Sequence, residues 1–93
     1  MKRTAIIGLG GISTVHIASI LSENIAEIAA ICDIDEEKIK AAEKSIPYPT
    51  QTFTGYREML EKVKPDVVHI CTPHFLHKDM AADSMLAGAD VYL

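Results

Sequence analysis

Gly8 and Gly10 close the apolar run Ala5-Ile6-Ile7, and Gly11, Ile12 and Ser13 lead on toward His16. A G-x-G-x-x-S turn of this kind suits the binding of a bulky anion. Gly8 permits a tight turn, and Gly10 lets backbone N–H groups come close to phosphate oxygens with no side chain between. A helix opening just beyond the turn adds the positive end of its dipole. Ser13 stands where a Gly or Ala usually allows close helix–strand packing, a small departure. Asp33 follows twenty residues after Ser13, at the end of a second apolar run. A carboxylate there can accept hydrogen bonds from ribose hydroxyls and would repel a 2′-phosphate. The residues after it, Ile34-Asp35-Glu36-Glu37, bring no cation at once. Together these features read as a dinucleotide-binding fingerprint with NAD favoured over NADP.

A third group is Cys71-Thr72-Pro73-His74-Phe75-Leu76-His77. Pro73 stiffens this loop. Its carbonyls and the Thr72 hydroxyl can line a cofactor, and His74 and His77 can reach its ribose or nicotinamide side. His74 and His77 do not make a zinc site, which takes three or four ligands. Each residue also has a plainer reading. The glycine turn could serve helix–strand packing alone, Asp33 could cap a helix, and His77 could bond at a helix start. Asp35 is the better N-cap, which leaves Asp33 for the ribose. His69 reads as a satisfied strand histidine and His16 as a helix residue packed behind the turn.

These groups need strands and helices in alternation. Strand one spans about 3–8, and a helix follows over about 11–22 with Ile12, Val15, Ala18 and Leu21 at helical spacing. Strand two, about 26–32, is nearly continuous in apolar character, as a strand buried on both faces requires. Asp35-Glu36-Glu37 opens a second helix that runs to about Ser45, before Pro47 and Pro49. Strand three is short, 50–53. A helix over about 56–62 places Tyr56, Met59, Leu60 and Val63 on one face. Strand four is 67–71, the last helix about 76–87, and Gly88 sits where a C′ glycine belongs. Strand five begins at Asp90. The alternation predicts an α/β, Rossmann-type, doubly wound parallel sheet ordered 3-2-1-4-5, with ligand at the carboxyl ends of the strands.

The 93 residues make a single domain, 48% hydrophobic and 24% charged, which argues against disorder. A net charge of −4 argues against a nucleic-acid partner. No apolar run is long enough to span a membrane, and the glycine turn interrupts any signal-peptide core, so a cytoplasmic location is expected. Cys32 and Cys71 end strands two apart in the expected order, roughly 9–10 Å. That lies beyond disulfide reach, so both are expected to be reduced.

Four stretches resemble the N-terminal domain of the Gfo/Idh/MocA oxidoreductases. They are Ile6–Ser13 with His16, Cys32–Asp35, Asp66–Pro73 with His77, and Ala87–Leu93. The resemblance covers the whole chain. It implies an NAD(P)-binding domain from sugar, inositol or polyol dehydrogenases. Gly8, Leu9, Gly10, Gly11, Ile12 and Ser13 would hold the pyrophosphate, and Asp33, with Ile34 beside it, the adenosine ribose. Cys71, Thr72, Pro73, His74 and His77 would border the nicotinamide half, although the family more often has Asn in place of His74. The family continues past the fifth strand with Glu-Lys-Pro, whose lysine assists proton transfer, and with a substrate domain that also forms the homo-oligomer interface. By this resemblance, residues 1–93 are a cofactor domain truncated in its fifth strand. No catalytic residue falls within it, the chain alone would be inactive, and its fifth strand would be an edge prone to self-association. Two alternatives are a non-catalytic NAD-sensing module and a fold that binds no nucleotide.

Overall fold

The computed structural model describes residues 2–23, 26–72 and 76–93. Its strands are β1 (Lys2–Ile7), β2 (Ala26–Cys32), β3 (Gln51–Phe53), β4 (Val67–Ile70) and β5 (Asp90–Tyr92). Its helices are α1 (Ser13–Ser22), α2 (Glu36–Lys44), α3 (Tyr56–Val63) and α4 (His77–Leu86). The strands form one parallel sheet in the order β3-β2-β1-β4-β5, as the alternation predicts.

Each sheet face has its own core. On one, Ala5, Ile7, Ala30, Cys32, Val68 and Ile70 pack under Met59, Leu60 and Val63 of α3. On the other, Ile6, Ile28 and Ile31 pack under Ile17 and Ile20 of α1 and Ile39 and Ala42 of α2. Full burial of each large aliphatic side chain contributes about 1.5–3 kcal/mol. The face expected for α1 is corrected: Ile12 is 61% and Val15 66% exposed, while Ser13, Ile17 and Ile20 are buried. The helix carries two apolar stripes, and contact with β1 and β2 selects the one that passes through Ile17.

Register brings the strand ends level. Ile7 pairs with both Cys32 and Ile70, so Gly8, Asp33 and Cys71 leave the sheet side by side. This depends on an irregularity in β2. Thr4 pairs with Ile28 but Ala5 with Ala30, so Ala29 is an extra residue and both Ala29 and Ala30 turn to the α3 face. A bulge of this kind sets two residues against one. Without it, Ile7 would face Ile31, and Asp33 would stand one residue further along the strand direction.

Candidate functional site

The glycine turn is held from both sides. Gly8 has φ +91°, a conformation that favours glycine. A Cβ built there would lie 2.7 Å from Thr72 Cγ2, 2.8 Å from Thr72 N and 2.9 Å from Cys71 C. Close approach to the end of β4 therefore excludes a side chain. Gly10 and Gly11 differ from this: a Cβ at either would meet no atom within 4 Å. Packing does not demand these two glycines, and the open space beside them is a cradle that side chains would fill.

Ser13 is buried, and its hydroxyl donates to the Gly10 carbonyl at 2.6 Å. It fits where a smaller residue is usual and also fixes the turn. No side chain caps the start of α1, so its first backbone N–H groups are unobstructed by a capping group.

Asp33, expected to be left for the ribose, also makes two hydrogen bonds of its own. Its Oδ2 accepts from the Leu9 N–H at 2.8 Å, and its Oδ1 accepts from the Asp35 N–H at 2.8 Å. A carboxylate has about four acceptor positions, so each oxygen keeps one to offer. Asp35 is the α2 N-cap, accepting from the Glu37 N–H at 3.0 Å. The acid of β2 thus braces the turn after β1.

These groups line a cavity of about 510 Å³ at the carboxyl end of the sheet. Gly8, Leu9 and Gly10 form its floor, Asp33 and Ile34 one wall, and Cys71 and Thr72 the other. Ile34 is 90% exposed, an apolar side chain presented at the rim. The Thr72 hydroxyl is turned toward Met80 Sδ at 3.3 Å, and the Thr72 carbonyl accepts from His77 Nε2–H at 2.6 Å. His77 therefore holds the chain at Thr72, just past the end of β4. Gly11 and Ile12 lie exposed beside the cavity. Pro73 and His74 lie outside the described residues.

Sequence reasoning missed seven lining residues: the strand residues Ile7 and Cys32, and Lys38, Thr54, Tyr56, Leu76 and Met80. The strand order contained a signal for three of them. It puts β3 beside β2, so the start of α2 and the β3–α3 turn must adjoin Asp33. Leu76 and Met80 lie four residues apart at the start of α4, a spacing that puts both on one helix face. Tyr56 is fixed by donating its hydroxyl to Asp83 of α4, whose other neighbour is Arg57 Nη2 at 3.2 Å. Burial, and then the Asp83 bond, raise the Tyr56 phenol above its ordinary value.

Cys32 and Cys71 are both free thiols, as expected, and they pack toward opposite faces of the sheet. Burial pushes each up to about 11, with the Asp33 charge adding to the effect at Cys32. Neither is a nucleophile near neutral pH. Among the described residues no helix is long and apolar enough to cross a membrane.

A glycine cradle, a bracing acid and a cavity at the strand ends define a Rossmann-type dinucleotide-binding domain. The chain belongs to the Gfo/Idh/MocA family: residues 2–93 match the family described as "Oxidoreductase family, NAD-binding Rossmann fold". It is 36% identical to glycosyl hydrolase family 109 protein 2 of Shewanella sp. (strain ANA-3), over 98% of this chain and 22% of that protein. It is 31% identical to D-glucoside 3-dehydrogenase of Escherichia coli K12, over 96% of this chain and 25% of that protein. Among solved structures it resembles the WlbA dehydrogenase of Bordetella pertussis in complex with NADH and UDP-GlcNAcA. The TM-score there is 0.87 at 32% identity, over 96% of this chain and 27% of that one. The chain spans about a quarter of the length of these proteins.

Proposed function

We propose that this chain is the cofactor-binding unit of an NAD-dependent oxidoreductase acting on a CH–OH group of a sugar, inositol or related polyol. The observation that carries this reading is the Asp33–Leu9 hydrogen bond, which joins the acid after β2 to the glycine turn in the lining of one cavity. Gly8 to Ser13 would hold the pyrophosphate. Asp33 would accept from the adenosine ribose, and the exposed Ile34 offers an apolar surface to the adenine. Thr72, its loop and His77 would border the nicotinamide. The bound nicotinamide would supply the hydride-accepting carbon, and the protein supplies position and electrostatics.

NAD is favoured over NADP because the Asp33 carboxylate opposes a 2′-phosphate. Lys38 lines the same wall and works against that preference. Calorimetric titration of the chain with each nucleotide tests the reading. NAD is expected to bind at least ten-fold more tightly than NADP, and Asp33→Ala should remove the difference. Binding of neither nucleotide would exclude the reading, and tighter binding of NADP would overturn the preference. A cytoplasmic location fits the two free thiols. Substrate turnover would belong to a longer homo-oligomeric protein, and the chain alone is expected to turn over no polyol.

A second reading is favoured by three curated relatives at 33–36% identity that are named as family 109 glycosyl hydrolases. In it, the longer protein would cleave a glycoside. Product analysis separates the two. A dehydrogenase accumulates reduced nicotinamide in step with oxidised sugar, whereas a glycosidase releases the leaving group with no net change in cofactor.

A further inference from the structure

We propose that His16 and His69 form a one-proton latch that holds α1 against β4 near neutral pH and opens when a second proton enters. The two Nδ1 atoms lie 2.8 Å apart with the rings nearly perpendicular, at 83°. An imidazole nitrogen is either a donor or an acceptor, so this contact requires one Nδ1–H and one bare Nδ1. His69 is also stacked on Tyr92 of β5, with centroids 5.1 Å apart and planes at 12°. Both histidines line a cleft of about 500 Å³ on the α1 face of β1, β4 and β5.

The proton count follows from this geometry. A first extra proton can go to the outer Nε2 of the donating ring and leave the Nδ1–Nδ1 bond in place. A second must go to the accepting Nδ1, where it sets N–H against N–H and cation against cation. Among the described residues, the other charged or titratable groups facing the pair are Glu23 after α1, Asp90 and Tyr92 of β5, and Lys2 of β1. Burial and the His16 charge lower the His69 value, and Glu23 opposes them only in part. A lowered folded value means that the unfolded chain takes the proton first as the pH falls. The stability is therefore present above the ordinary imidazole value of about 6.5 and is lost as the pH drops below it.

The placement gives the latch a consequence. His16 lies three residues beyond Ser13, which fixes the glycine turn, and His69 two residues before Cys71, which lines the cofactor-sized cavity. Opening the latch would loosen the joint between the glycine-turn floor of that cavity and its Cys71–Thr72 wall.

Long-range ¹⁵N–¹H NMR of the four imidazoles from pH 8 to 4.5 tests the proposal on the intact chain. We expect one of the pair to carry Nδ1–H and the other Nε2–H at pH 7.5, with a second protonation step below the ordinary value. Two Nε2–H rings that titrate independently near 6.5 would overturn it. A second readout is thermal unfolding of His69→Gln, which can still bond His16 but carries no charge. Between pH 7 and 5 the wild-type midpoint should fall by several degrees more than that of the variant. Equal slopes would also overturn the latch. If the variant does not fold, the wild-type NMR still decides.

Discussion

Gly8 and Gly10 look alike in the motif but do different work. Gly8 is required by the fold: its positive φ and its contact with the Thr72 backbone leave no room for a methyl group. Gly10 faces open space, so its lack of a side chain matters only to something that enters the cavity. Two substitutions separate these roles. Gly8→Ala should destabilise the chain by about 2–4 kcal/mol, from backbone strain and overpacking together. Gly10→Ala should leave stability within about 1 kcal/mol of wild type but weaken NAD binding ten-fold or more. Denaturant unfolding and calorimetric titration of both variants check this. A Gly10→Ala protein with unchanged affinity would mean that the open space is not a phosphate cradle. The motif shows both glycines but not this division, because the crowding at Gly8 comes from Thr72, sixty-four residues away.

At the scale of elements, local chemistry decides the ends. The Asp35 side chain opens α2 and two acids follow in its first turn. After α4, Gly88 has φ +94°; its N–H bonds the Met85 carbonyl, and the Ala89 N–H the Ser84 carbonyl. This is a Schellman stop, whose left-handed residue is usually glycine. The end of α3 lacks that economy. Lys64 occupies the left-handed region at φ 50° before Pro65. A non-glycine residue there costs about 1–2 kcal/mol, while glycine would lose roughly 0.5–1 kcal/mol more chain entropy on folding. Lys64→Gly should therefore stabilise the chain by about 0.5–1 kcal/mol, raising the unfolding midpoint by a few degrees. A lower midpoint in a thermal melt would count against that strain. The stop at Gly88 was legible because caps act within one turn of chain. The buried stripe of α1 was not, because its sequence offers two.

The whole molecule carries a sheet with two edges, at β3 and β5. β3 is short, which limits pairing with another chain. β5 is also short, but exposed Tyr92 and Leu93 lie at its end, with exposed Met85 and Leu86 on the adjoining α4. Beside them, the α1 face of β4 and β5 is the open cleft that holds His69. An apolar rim beside an unpaired edge favours association. In light scattering, the mass of the chain should rise above that of a monomer as concentration increases. Leu86→Glu with Tyr92→Lys should restore a monomer. A monomeric mass for the wild type across that range would contradict this.

The alternation of apolar runs with capped helices, the glycine turn and the acid twenty residues beyond it are properties of neighbouring residues. They determined an α/β chain with a parallel sheet and a glycine turn at the carboxyl end of its first strand, because strand period, helix period and cap chemistry are all written within a few positions. Contacts that join distant residues were decided only in the folded chain. The bulge at Ala29 sets the level of Asp33, and the strand order brings Lys38 and Tyr56 to the cavity. The approach of α1 to β4 turned two unremarkable histidines, fifty-three residues apart, into a bonded pair. Each arises when separate elements pack together, and no local pattern encodes the distance between them.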